Sequence, residues 1–194
     1  ILARMGIAPG ETPSLVIAPP AVVGNWAAEA KRFTPNVKVL VHHGPNRANG
    51  PRLASALRSA DLVITTYGTA VRDVDELAML EWDRVVLDEA QVIKNHRSTT
   101  AQELRKLNAR ARLALTGTPI ENGLGDLWAI LDFCSPGLVG GRTSFINQLN
   151  QIGDGDEAAE SALHALNGVL VFRRTKAEPL IAAELPDRID ELAQ

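Results

Sequence analysis

Five short apolar, β-branched runs recur along the chain, and nothing else in the sequence limits the fold as tightly. Ser14-Leu15-Val16-Ile17-Ala18 is stopped by Pro19-Pro20, and Val37-Lys38-Val39-Leu40-Val41 closes on His42-His43-Gly44-Pro45. Asp61-Leu62-Val63-Ile64-Thr65, Arg84-Val85-Val86-Leu87 and Arg112-Leu113-Ala114-Leu115-Thr116 complete the series. Unbroken runs are what a parallel sheet covered on both faces requires. Helices then fill the intervals as right-handed crossovers. Pro20 suits the first turn of a helix running through Trp26 toward Phe33, where a missing N–H costs nothing. Further helices are predicted after Pro51, over about 98–107, and after Asn122, where Leu124, Leu127, Trp128 and Leu131 share one face. Asn122 is the expected N-cap of that last helix, and Asp126 suits the positive end of its dipole.

The chain has 194 residues, enough for one α/β domain with a small appendage. With 45% hydrophobic and 22% charged residues and a net charge of −3, it reads as an ordinary soluble globular chain. No apolar run approaches the roughly 20 residues of a membrane span, and no secretory leader opens the chain. Ile1-Leu2-Ala3-Arg4-Met5-Gly6 reads instead as the last turns of a helix whose beginning is missing. The single cysteine, Cys134, has no internal disulfide partner, which fits a reducing cytoplasm. The acidic balance weighs against a protein that coats nucleic acid, but it leaves room for a local grip on a phosphate backbone. Past Pro136 the character changes: 137–142 is glycine-rich, a helical segment is expected around Phe145, a loop at Gly153-Asp154-Gly155-Asp156, and a helix over 157–170. The division expected is a lobe over 1–136 and a helical extension over 137–194.

Asp88-Glu89 follows the run Val85-Val86-Leu87, which puts two carboxylates at the carboxyl edge of the sheet, where open α/β folds bind ligands. Two adjacent acids can divide the work of nucleotide hydrolysis. Asp88 can hold Mg²⁺ through its water shell, and Glu89 can orient and polarise the attacking water. The same pair also reads as the opening of a solvated turn. The helix that starts at Pro20 offers N–H groups and a positive dipole end to a phosphate. Trp26 reads as packing or as a base platform, and Thr65-Thr66 as phosphate donors or as turn chemistry. His42-His43 suggests a metal at first glance, but with no further ligand at suitable spacing, strand-end packing is the better account.

The neighbours of Asp88 sharpen the choice. Asp88-Glu89-Ala90-Gln91 runs into Val92-Ile93-Lys94-Asn95, and downstream stands Leu115-Thr116-Gly117-Thr118-Pro119-Ile120-Glu121-Asn122 with Leu127-Trp128. Upstream are Ala18-Pro19-Pro20 with Gly24-Asn25-Trp26, then Thr65-Thr66-Tyr67-Gly68, and far downstream Phe172-Arg173-Arg174-Thr175-Lys176 before Leu185-Pro186. In this order and over nearly the whole chain, the sequence resembles the SWI/SNF-type DNA translocases of the superfamily-two helicase group, bacterial members included. The resemblance implies a RecA-like P-loop NTPase lobe: a parallel sheet flanked by helices, with a helical C-terminal extension. It further implies ATP and Mg²⁺ as cofactors and double-stranded DNA and a second RecA-like lobe as partners. Asp88, Glu89 and Gln91 would serve hydrolysis, and Thr116, Gly117, Thr118 and Asn122 its coupling to lobe movement. Pro19, Pro20, Asn25, Trp26, Thr65, Thr66, Lys94 and Asn95 would face DNA.

Three departures qualify the resemblance. No Gly-x-x-x-x-Gly-Lys-Ser/Thr run occurs, although the family places one just before the segment where this chain begins. A gap is therefore expected in the sheet, and the 194 residues alone are expected to hydrolyse ATP negligibly. Gln91 stands where many relatives have histidine; it can bond across to the 116–118 segment but cannot titrate. Pro20-Ala21 replaces hydroxyl residues common in the family, which removes two phosphate donors. A non-catalytic α/β interaction module and an RNA helicase lobe remain the alternatives.

Overall fold

The structure, a computed structural model, describes residues 7, 10, 12–118 and 123–151. Expectations that fall elsewhere lie outside the described residues: the opening helix turn, Pro119 to Asn122, the 157–170 helix, the Arg173-Arg174 cluster and Leu185-Pro186.

Five strands, β1 (Ser14–Ala18), β2 (Val39–His42), β3 (Leu62–Thr66), β4 (Glu81–Asp88) and β5 (Asn108–Leu115), form one sheet in the order β2-β3-β1-β4-β5. Every pairing is parallel. The chain crosses over through α1 (Pro20–Phe33) and α2 (Gly50–Ser59), then through the short helices α3 (Tyr67–Arg72) and α4 (Val74–Ala78). A 3-10 turn (Ala90–Ile93) and α5 (Thr99–Leu104) lead to β5, and α6 (Leu124–Cys134) and α7 (Arg142–Asn150) follow.

The unbroken runs are explained by the packing. All five residues of β1 and all five of β3 are buried. Their side chains alternate between two apolar layers, as the two-residue period of a strand dictates. Leu15, Ile17, Val63, Val85 and Leu87 enter one layer with Leu53, Leu57 and Phe133. Val16, Ala18, Leu62, Ile64 and Val86 enter the other with Val23 and Ala30 of α1. Each aliphatic side chain so buried contributes about 1.5–3 kcal/mol.

Several expectations need correction. The sheet has no gap among the described residues, because β4 pairs directly with β1 and with β5, which leaves β5 at an edge. β4 starts at Glu81, ahead of the expected Arg84, since Trp82 is fully buried, donates its indole N–H to Leu77 O at 2.9 Å, and pairs opposite Ala109. β5 likewise begins early, at Asn108. The residue before α6 is Gly123, at φ 92°, a left-handed backbone that favours glycine; it occupies the N-cap position expected for Asn122. Helices α3 and α4 were not foreseen. Thr66 starts α3, its hydroxyl accepting from Thr69 N at 3.3 Å.

The end of β2 is tied to the α3–α4 junction by Asp73. Its carboxylate bonds His42 Nε2 at 2.7 Å and takes Arg47 in two contacts, at 2.6 and 2.9 Å. His42 is therefore strand-end packing. Beyond Pro136, Phe145 of α7 closes an apolar cluster with Leu124, Leu127 and Leu131 on the face of α6 that the sequence spacing marks out. No described helix is long and apolar enough to cross a membrane.

The Arg47 guanidinium, and after it the His42 ring, holds the Asp73 carboxyl below the usual carboxylate range. A depressed folded-state value stabilises above the ordinary pKa of about 3.9 and is lost as pH falls through the folded value. Asp73→Asn is therefore expected to be less stable than the unchanged chain at pH 7. In urea unfolding, that difference should shrink steadily once the pH drops below about 4.

Candidate functional site

Strand register brings the site together. Leu87 lies opposite Ile17 on one side and Ala114 on the other, and Asp88 lies opposite Leu115. The carboxyl ends of β1, β4 and β5 therefore meet at one edge of the sheet, with Asp88 between the Pro19-Pro20 entry to α1 and Thr116. Adjacent parallel strands stand about 4.8 Å apart, so groups just past their ends are within side-chain reach.

Asp88 is held from three directions. Its Oδ2 accepts the indole N–H of Trp26 at 2.8 Å, and its Oδ1 accepts the N–H of Glu89 at 3.1 Å. Its carbonyl accepts the Tyr67 hydroxyl at 2.8 Å. Burial, and then the nearby Asp88 and Glu89 carboxylates, push the Tyr67 phenol up, so it stays protonated and donates. An ionised carboxylate has about four lone-pair positions. The two N–H donors leave the remainder of Asp88 open at the sheet edge.

Glu89 has φ 54° and ψ 54°, and among the described residues no other non-glycine residue has a positive φ. Left-handed backbone costs a side-chain-bearing residue about 1–2 kcal/mol. Such strain persists where the surroundings hold it, typically at functional sites. Here the Tyr67 hydroxyl pins the carbonyl just before the strained residue. The kink turns β4 sharply into the 3-10 turn and leaves the Glu89 side chain exposed.

From Glu89 a chain of hydrogen bonds crosses to β5. Gln91 Nε2 donates to Glu89 Oε2 at 2.7 Å, Thr116 Oγ1 donates to Gln91 Oε1 at 3.1 Å, and Thr118 N donates to Thr116 Oγ1 at 3.1 Å. Every donor points toward the Glu89 carboxylate, so each bond polarises the next. The acids at 88–89 and the 116–118 segment are thus joined through Gln91. Gly117 and Thr118 are exposed, and Asn122 lies outside the described residues.

The residues expected to face DNA divide into two groups. Pro19 caps α1 without a side-chain bond, Pro20 takes its first turn, and no acidic residue stands there, so the dipole end is open. Asn25 and Asn95 are exposed. The others have internal partners. Thr65 has no exposed surface and donates to His42 O at 2.7 Å, while Thr66 caps α3 and bonds Thr69 Oγ1 at 3.0 Å. Trp26 is committed to Asp88. Lys94 is 8% exposed, with its ammonium 3.7 Å from Asp126 Oδ2. It lines a cleft of about 590 Å³ with Asn95, Arg97 and Arg142, between the 3-10 turn and α6. Cys134 is mostly buried, which pushes its thiol up to about 11 and leaves it protonated at neutral pH. No group of three metal-ligating side chains is found among the described residues. One carboxylate with open lone pairs still suits Mg²⁺, which keeps several waters and takes few protein ligands.

Residues 2–194 match the SNF2-related domain. The chain belongs to that family. It is 39% identical, over 93% of its length, to the putative ATP-dependent helicase/translocase YwqA of Bacillus subtilis, of which it covers 20%. It is 35% identical, over 87% of its length, to the ISWI chromatin-remodeling complex ATPase ISW2 of Saccharomyces cerevisiae, of which it covers 15%. The solved SWI2/SNF2 ATPase core of Sulfolobus solfataricus in complex with double-stranded DNA superposes with a TM-score of 0.73 at 38% identity, covering 90% of this chain and 36% of that one. The chain therefore spans a minor part of these relatives, and its sheet has the RecA-like fold of the SNF2 ATPase core. Two side chains of this SNF2-related domain, Tyr67 and Trp26, had no role at Asp88 in the sequence. Each is an aromatic with a polar hydrogen, Tyr67 directly after the β3 run and Trp26 in the helix that follows β1, and that is the available signal.

Relief of the Glu89 backbone predicts an unusual outcome. Glu89→Gly is expected to stabilise the chain by about 1 kcal/mol in urea unfolding, while Glu89→Ala, which keeps the Cβ clash, gains nothing of the kind.

Proposed function

We propose that this SNF2-related domain is the first RecA-like lobe of an ATP-driven double-stranded DNA translocase that works inside the cell. One observation carries the proposal: the hydrogen-bonded chain from Glu89 through Gln91 to Thr116 and Thr118, beside Asp88 at the carboxyl edge of the sheet. The names of the relatives support it, since one is a putative ATP-dependent helicase/translocase and a solved SWI2/SNF2 core is bound to double-stranded DNA.

In this proposal Asp88 holds Mg²⁺ through water with the lone pairs left free by Trp26 and the Glu89 N–H. When bound, the ion neutralises charge on the phosphates. Glu89, exposed and aimed by its left-handed backbone, accepts a proton from the attacking water. Gln91, Thr116, Gly117, Thr118 and Asn122 couple phosphate state to movement of a second RecA-like lobe. DNA phosphates are taken by the open N-terminal turn of α1 at Pro19-Pro20, and the exposed Asn25 and Asn95 add to the DNA-facing surface. Thr65, Thr66 and Lys94 support that surface from within. Helix α7 and the residues after it lead toward the second lobe.

The full-length protein tests this directly. Glu89→Gln and Asp88→Asn should each lower DNA-stimulated ATP turnover by about 10²-fold or more, the usual weight of a positioned acid–base group. Duplex affinity in a filter or anisotropy titration should change little. Undiminished DNA-stimulated turnover in Glu89→Gln would contradict the water-activating role.

A further inference from the structure

The contact between Trp26 and Asp88 joins two parts of the site that the proposed function keeps separate. Trp26 lies in α1, the helix whose open first turn is proposed to meet DNA, and it reaches 62 residues along the chain to the Asp88 carboxylate. It is not a loose surface side chain. It is half-buried against the apolar layer that contains Val16, Ala18 and Val86, and Val23 and Ala30 of the same helix are buried in that layer. Its ring is thus wedged between α1 and the sheet, with its N–H directed at Oδ2.

The chemistry of this donor matters. An indole N–H donates only and carries no charge. It fixes the plane of the Asp88 carboxylate and occupies one lone pair without neutralising the acid, so attraction for a cation is kept. With the Glu89 N–H on Oδ1, the carboxylate is gripped at both oxygens. On the opposite layer Tyr67 holds the Asp88 carbonyl, so the backbone is fixed while the side chain answers to α1. A small shift of α1 against the sheet then turns the carboxylate.

We infer that Trp26 is a positioning residue that conveys the state of helix α1 to Asp88, so that a duplex phosphate engaged at the first turn of α1 aligns the carboxylate for hydrated Mg²⁺. The inference rests on the proposed function and adds the route by which DNA acts on hydrolysis. It also turns Trp26 from a DNA contact into a link between DNA and metal.

The test uses the full-length protein and Trp26→Phe, which keeps an aromatic ring and removes the N–H. Half-saturating Mg²⁺ for ATP turnover should rise at least fivefold and the stimulation by duplex DNA should fall at least fivefold, while duplex Kd stays within twofold. A second readout needs no turnover. In protein labelled with 5-fluorotryptophan, the ¹⁹F resonance that Trp26→Phe removes should shift when duplex DNA is added without nucleotide, and shift again with Mg²⁺ and a non-hydrolysable ATP analogue. If Trp26→Phe does not fold, Trp26→Tyr assigns the resonance and the labelled unmutated protein gives the result. A fall in duplex affinity with an unaltered Mg²⁺ requirement would make Trp26 a DNA contact and overturn the inference. An unaltered Mg²⁺ requirement and undiminished DNA stimulation, or a resonance indifferent to DNA, would overturn it as well. Absence of DNA-stimulated turnover in the unmutated protein defeats the proposed function itself, whereas normal turnover with a silent Trp26 defeats only the link.

Discussion

The direct pairing of β4 with both β1 and β5 is the constraint from which the rest of the site follows. With Leu87 opposite Ile17 and Ala114, residues just beyond three strand ends are forced into one neighbourhood. The pairing is itself enforced by burial on both faces. A one-residue slip of β4 would carry Val86 into the layer of Leu15 and Ile17, and Val85 and Leu87 into the layer of Val16. It would also turn Trp82 away from the layer in which it has no exposed surface. Core packing therefore sets the placement of Asp88 to within the register of one residue. The polar contacts only refine its orientation.

That order of causes explains why strain is tolerated at Glu89. The apolar layers stabilise β4 by several side chains' worth of burial, at about 1.5–3 kcal/mol each. Against this, about 1–2 kcal/mol of left-handed backbone is small. The Tyr67 bond to the Asp88 carbonyl applies its restraint at the last regular residue of the strand, immediately before the strained one. Tyr67 is also the first residue of α3 and is buried in the layer beneath. The kink thus depends on a short helix whose own start is fixed by the Thr66 hydroxyl. The two adjacent acids diverge as a result: Asp88 stays half-buried and doubly bonded, and Glu89 emerges into solvent.

Elements that repeat an apolar pattern were legible in the sequence. β1 and α1 have the limits their residues suggest, because Pro19-Pro20 both stops the strand and starts the helix. The seam between α6 and α7 was legible from the spacing of Leu124, Leu127 and Leu131. Helices α3 and α4 were not, since 6 and 5 residues are too few for a helical period to show. The early start of β4 was hidden because Glu81, Asp83 and Arg84 interrupt the run, and only tertiary burial of Trp82 justifies the extension. The expected gap in the sheet has a different origin: the motif pattern of a sequence does not say whether a given strand pairs inside the sheet or at its edge. Within the site, the carboxylates and threonines were readable by type, and the Gln91 bridge by its hydrogen-bonding capacity. The Trp26 bond was not, because two residues 62 apart acquire a relation only through strand order.

Gln91 shows how much of the hydrogen-bonded chain depends on one functional group. A bridge between Thr116 and Glu89 needs an acceptor for a hydroxyl and a donor for a carboxylate at the same time. An amide carries both, on atoms of one rigid plane, in a single state at every physiological pH. A neutral imidazole also carries both, but protonation converts its acceptor into a second donor and breaks the side facing Thr116. The direction of the bonds adds a further limit. Thr116 donates to Gln91 while accepting the Thr118 N–H, so its hydroxyl hydrogen is fully committed. Reversing the amide would set its NH₂ against Thr116 and its oxygen against the Glu89 carboxylate, which would drive the two acceptors apart. The chain from the 116–118 segment to Glu89 therefore has one stable polarity, and that polarity presents hydrogen to the carboxylate. Under the proposed function, movement of the segment toward or away from β4 would tighten or loosen, through Gln91, the hydrogen bond that the Glu89 carboxylate accepts.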